Sequence, residues 1–190
     1  GAGTKAGFYY AFPPHAEEVR FAFAIPYLES DLERLVARQA TSSSLRVEEL
    51  CRTDRGRRAE YLRAGGLDGQ APYCLLLAAR HHACECIASF ELEGILEAVL
   101  ADSAEGAWFR EKVEVLAIPF VDKDGVEDGD QGKNRRPRDH NRDYTDPSVH
   151  ATVRAIRSLV PGWSGGRPLL ALDLHCPYMS GMRSEEHTSE

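Results

Sequence analysis

The sequence predicts an α/β fold, an open sheet with helices on both faces, on three observations. Residues 73–79 are a continuous apolar run bounded by turn residues, the mark of a strand buried on both faces, and residues 168–174 read as another buried strand. Residues 113–120 form a further strand-like run between them. Segments with helical spacing separate the three, and strand–helix alternation of this kind argues for a layered sheet with its ligand site beyond the strands' carboxyl ends.

Taken in order, residues 19–25 read as a strand that Pro26-Tyr27 ends. Ser30 or Asp31 can cap the next helix, which carries Leu32, Leu35 and Val36 on one face. Residues 46–61 are patterned as a hairpin, with 47–51 against 59–62 and a turn at Asp54-Arg55-Gly56. The strand at 73–79 leads into a loop and then a helix on which Ile87, Phe90, Ile95 and Val99 recur. The strand at 113–120 stops at Asp122-Lys123-Asp124-Gly125, a strong turn signal. A polar stretch spans 127–147, a short helix 149–159, and the last strand, 168–174, places His175 at its carboxyl end.

Composition sets bounds on function. The 190 residues suffice for one domain with a sizeable core. A content of 43% hydrophobic and 28% charged residues is that of a globular protein rather than a disordered one. The net charge of −7 argues against nucleic acid as a partner, because phosphate binding needs a basic footprint. No apolar run approaches the ~18–20 residues of a membrane span, so no membrane partner is expected. Five cysteines without a secreted-framework spacing favour a reducing, cytoplasmic setting.

Three distant segments carry the chemistry. His82 and Glu85 stand three positions apart on a turn entering a helix, which brings both side chains to one side. His175 would reach the same point from a neighbouring strand end. Two imidazoles and one carboxylate form a common catalytic zinc set, leaving a coordination position open. Asp173, two residues before His175, could orient a metal-bound imidazole. His81 is a rival ligand, but only His82 has the offset to Glu85. Cys84, Cys86 and Cys176 allow a thiolate site, disfavoured because such sites generally pair cysteines at two-residue or wider gaps. Between the segments lie Asn141-Arg142 and a basic cluster at 133–138, which alone would read as a solvated loop or a patch for acidic tails.

The order His-x-x-Glu, Asn-Arg, then a strand ending in His resembles the zinc metallocarboxypeptidase family. Ile25-Pro26-Tyr27-Leu28-Glu29-Ser30-Asp31-Leu32, Leu50-Cys51-Arg52-Thr53 with Gly56, and Pro119-Phe120-Val121-Asp122-Lys123-Asp124-Gly125-Val126 are similar to segments of its cytosolic-carboxypeptidase-like branch. The similarity runs from about residue 21 to 182. It implies a three-layer α/β/α fold with a central mixed sheet. Residues 1–27 would end a small N-terminal β-domain, and 28–182 would form the first part of the catalytic domain. It also implies one zinc ion on His82, Glu85 and His175, and a peptide or protein C-terminal tail as substrate. Asn141 and Arg142 would grip the terminal carboxylate. Arg135, with Arg136 and Arg138 as rivals, would polarise the scissile carbonyl. A zinc amidohydrolase of N-acyl amino acids and a non-catalytic binding module are the alternatives.

This chain departs from the family by Ala83-Cys84 between the first His and the Glu, and by His140, to which no role attaches. Residues 183–190 resemble the translation of a sequencing adapter, and without their three acids and one base the charge is about −5. The expectation is a fragment, truncated on its C-terminal side, whose gene product continues beyond Met182. It would lack the family's general-base glutamate, bind zinc poorly and turn over nothing.

Overall fold

A computed structural model of the chain describes residues 9–176, apart from 16, 20 and 23. The element order is α1 (Glu29–Arg38), β1 (Leu45–Arg52), β2 (Arg58–Gly65), β3 (Tyr73–Ala79), α2 (Cys86–Leu100), α3 (Ala104–Lys112), β4 (Val113–Ile118), α4 (Lys123–Asp128), a 3-10 turn (His140–Arg142), α5 (Ala151–Ser164) and β5 (Leu169–Leu174). The five strands form one mixed sheet in the order β1-β2-β4-β3-β5. The β1–β2 and β2–β4 pairs are antiparallel, while the β4–β3 and β3–β5 pairs are parallel.

Strand alternation sorts the core into two layers. On one face Leu75, Leu77 and Ala79 of β3 join Val113, Val115 and Ala117 of β4, under Leu32 and Leu35 of α1 and Leu92, Leu96 and Val99 of α2. On the other face Ala78, Leu116 and Ile118 pack under Val153 and Ile156 of α5. The three-layer α/β/α expectation with a mixed sheet is therefore met. Glu114 is the polar exception on the α5 face. Burial would raise its carboxyl, but Arg167, Arg63 and the Trp163 indole Nε1 hold it below the usual range. Those donors sit 2.8 Å (Arg167, Arg63 Nε) and 2.9 Å (Trp163) away.

Several sequence expectations change here. The described residues among 19–25 lie outside regular structure, and Ile25 is exposed, since an isolated strand has no ladder to pair with. Residues 183–190 and Met182 lie outside the described residues. Helix α1 begins at Glu29, because Asp31 reaches back to accept the Leu28 amide at 2.8 Å. Asp122-Lys123-Asp124-Gly125 opens a helix instead of a turn: the Asp122 carboxylate caps the Gly125 amide at 2.9 Å. Helix α2 buries Ala88, Ser89, Leu92, Leu96 and Val99, leaving Ile87 and Phe90 exposed.

β5 differs most from expectation. It is one of the two edge strands of the described sheet, and Leu169, Leu170 and Leu172 are exposed rather than buried. Leu77→Ala in β3 is expected to cost about 2–5 kcal/mol, whereas Leu170→Ala in β5 should cost less than about 1 kcal/mol. Urea denaturation of both variants measures the contrast; equal losses would place β5 inside the core.

Candidate metal centre

The loop between β3 and α2 is built around a buried arginine. Arg80 adopts φ +60°, a left-handed conformation that non-glycine residues rarely take. Its guanidinium is 2% exposed and donates to the carbonyls of Ala83 (2.9 Å) and Tyr27 (2.8 Å) and to Ser89 Oγ (3.0 Å). Those acceptors over-determine the strained backbone and replace the water that the cation lost. The loop is thereby latched to the chain before α1 and to the first turn of α2, and His81, His82 and Glu85 are held at the carboxyl ends of the parallel strands.

Glu85 is the centre of the cluster. Its Oε1 lies 3.2 Å from His82 Nδ1 and 2.7 Å from Lys133 Nζ, and its Oε2 lies 2.6 Å from His175 Nδ1. Burial alone would raise this carboxyl; the hydrogen bonds from His175, His82 and Lys133 overcome that and hold it well below the carboxylate range. His175 is pushed up to about 10, first by Asp173 and then by Glu85. Asp173 is drawn down to about 2: burial opposes the shift, but the His175 and His81 bonds prevail.

A chain of short contacts runs outward from the cluster. His175 Nε2 meets Asp173 Oδ2 at 2.7 Å, the other Asp173 oxygen meets His81 Nδ1 at 2.7 Å, and His81 Nε2 meets the Tyr144 hydroxyl at 2.8 Å. Two overlapping donor sets result among the described residues: His82, Glu85 and His175, and His81, Asp173 and His175, each with ligand atoms within 4.8 Å of one another. The first suits zinc better. Its two imidazole nitrogens and its carboxylate are the donor types that zinc takes at about 2.0–2.2 Å. His82 Nε2 is buried without a hydrogen-bond partner, with Asp139 Oδ1 4.0 Å away, close enough to orient the ring after a slight shift. Asp173 already supports the far nitrogen of His175, leaving Nδ1 directed at Glu85.

No protein-family model matches the chain. Cytosolic carboxypeptidase 2 of Xenopus tropicalis is 28% identical over 141 residues, which is 69% of the chain and 15% of that protein. Cytosolic carboxypeptidase 3 of Mus musculus is 27% identical over 183 residues, 87% of the chain and 18% of that protein. A metallo-carboxypeptidase from Pseudomonas aeruginosa, solved in complex with (2-guanidinoethylmercapto)succinic acid, matches with a TM-score of 0.62 and 27% identity over 79% of the chain and 40% of its own. The chain is thus similar in sequence and fold to carboxypeptidases. A metallo-carboxypeptidase from Burkholderia cenocepacia, with TM-score 0.66, 22% identity and coverage of 80% and 43%, shares the fold. The chain thus spans less than a fifth of these curated relatives and under half of these solved ones.

The remaining sequence candidates fall around this centre. Asn141 and Arg142 lie exposed on the 3-10 turn, whose N-terminal Asp139 accepts the Arg142 amide at 3.1 Å and its guanidinium at 2.5 Å. Asp139 therefore stands between Arg142 and His82. Arg135 is turned elsewhere, onto Asp122 Oδ2 (2.7 Å) and Asp130 (3.1 Å). Arg138 pairs with Asp143 at 2.6 Å, and Arg136 is exposed. His140 has a packing position: its ring stacks on His150 at 3.7 Å, and burial, then the neighbouring His150, push its pKa down to about 3.

Sequence reasoning missed Lys133, Asp139 and Asp143. Asp143 is fully buried and accepts from Arg138, Ser148 Oγ and the amides of Val149 and His150. Against the cost of burial, Ser148, Arg138 and those amides hold its carboxyl far below the usual range. A depressed folded-state pKa gives stability that is present above about pH 4 and lost as pH falls toward the folded value. Asp143→Asn is expected to cost about 2–4 kcal/mol at pH 7, with the gap to wild type shrinking below about pH 4. Denaturation curves at pH 7 and pH 3 report this; a gap that widens in acid would contradict it.

Proposed function

We propose that this chain carries the metal and terminal-carboxylate half of a zinc-dependent metallocarboxypeptidase, which hydrolyses C-terminal residues from peptides or protein tails. The observation that carries the reading is the convergence of His82, Glu85 and His175 within 4.8 Å, with Asp173 supporting the far side of the His175 ring. In this reading His82, Glu85 and His175 hold one zinc ion. When bound, zinc supplies a Lewis acid and lowers the pKa of its water. The names of the curated relatives, all cytosolic carboxypeptidases, support the same reaction class and a cytoplasmic setting. No described helix is long and apolar enough to cross a membrane.

Asn141 and Arg142 are the groups proposed to receive the substrate's terminal carboxylate. Both are exposed, and the 73% exposed Arg142 side chain leaves most of its planar fork to accept a bidentate partner. Asp139 steadies the guanidinium from behind and stands 4.0 Å from His82 Nε2, so the carboxylate grip and the metal donors share one supporting residue. Arg135 enters the proposal only with a conformational step, because its guanidinium must leave Asp122 and Asp130 to approach a scissile carbonyl. No general base is assigned among the described residues.

Zinc titration of the metal-free chain tests the reading. One equivalent should bind, and His175→Ala should weaken binding on the order of 100-fold. Stoichiometric zinc of unchanged affinity in His175→Ala would remove the assignment. Given to a longer protein that carries the rest of the catalytic domain, peptides with a free or an amidated C-terminus, beside N-acyl amino acids, then separate a carboxypeptidase from an amidohydrolase. The carboxypeptidase reading requires cleavage of the free-ended peptide alone.

A further inference from the structure

Of the basic cluster at 133–138, one residue reaches the donor set. Arg135 is engaged by Asp122 and Asp130, and Arg138 by Asp143, whereas Lys133 places its ammonium 2.7 Å from Glu85 Oε1. This is the same oxygen that lies 3.2 Å from His82 Nδ1. The contact is prepared by the backbone. Gln131 accepts the amide of Cys84 at 3.2 Å, which fastens the segment preceding Lys133 onto the His82–Glu85 loop. Gly132, at φ +88°, lies so close that a Cβ there would come within 2.4 Å of the Ala83 nitrogen. Only glycine allows this approach, and the approach sets Lys133 beside Glu85.

We propose that Lys133 is a resident counter-cation of the metal centre, and that its ammonium and a zinc ion compete for the Glu85 carboxylate. The inference rests on the reading that His82, Glu85 and His175 bind zinc. A carboxylate in a mostly buried position needs positive charge beside it, and Lys133 supplies a full unit without any ligand. A dication bound to the same oxygen would face that ammonium across a few ångströms, and like charges at that range repel strongly in a partly desolvated setting. Lys133 has somewhere to go. Its side chain is 42% exposed and flexible, so it can release Glu85 and turn to solvent while Glu85, 4% exposed, stays in place. Metal uptake is therefore an exchange of one cation for another, and Lys133 sets how tightly the site holds zinc.

The test is zinc affinity, read by competition with a chromophoric chelator on the full 190-residue chain. Lys133→Met is expected to bind about tenfold more tightly than wild type, and Lys133→Arg to remain within about threefold of it. Lys133→Gln, of similar length and uncharged, should follow Lys133→Met, which separates charge from packing. Circular dichroism melts show that each variant is folded before it is titrated. Equal or weaker binding by both neutral variants, with wild type binding and His175→Ala weakened, overturns the role of Lys133 and leaves the site standing. Zinc binding by the neutral variants but not by wild type supports the proposal in its strongest form. Binding by none of the chains overturns both readings.

Discussion

A carboxylate withdrawn from water has to be answered by positive charge or by N–H donors, and Glu85 meets that demand at the centre of the candidate metal site. Its two oxygens draw His82 from its own loop, His175 from the end of β5 and Lys133 from the segment after α4. Three parts of the fold are thus pinned to one side chain. The protonation of His175 and the depression of Glu85 are two faces of this arrangement, since each stabilises the charged form of the other.

That concentration of charge can be held only if the backbone beneath it does not move. Arg80 provides the fixed point, by spending its guanidinium on acceptors from the Tyr27 segment, the loop itself and helix α2. Asp143 does the equivalent on the opposite rim, gathering Arg138 and the start of α5 around one buried carboxylate. Neither residue meets the candidate metal donors. Each keeps a polar loop in a single conformation at the end of the sheet, where ligand sites of α/β proteins are found.

Much of this was legible in the sequence, wherever local pattern and tertiary environment coincide. β3 falls at 73–79 as its apolar run indicates, and the hairpin at 45–65 turns where Asp54-Arg55-Gly56 directs it. The His-x-x-Glu spacing and the strand ending in His175 mark the donor triplet because spacing and strand termini fix direction. What was not legible depends on neighbours. α3 lacks an apolar stripe, burying only Gly106, and so gives no periodic signal. On α2 the small residues Ala88 and Ser89 face the sheet, so Ile87 and Phe90 point outward despite their size. The apolar run of β5 reads as a buried strand, yet its solvation follows from its position at the sheet edge. Lys133 looks like any solvated lysine until Gly132 is seen against Ala83.

The place of β5 also orders events during synthesis. His175 lies 90 residues after Glu85, and β5 docks on β3 only once both intervening helical crossovers are in place. A chain growing from its N-terminus presents His82 and Glu85 to the cell well before their third companion emerges. Through that interval two of the proposed donors stand without the third, and the Glu85 carboxylate has its own lysine at hand. On the proposed reading, the donor set is complete only when the last strand has closed the sheet.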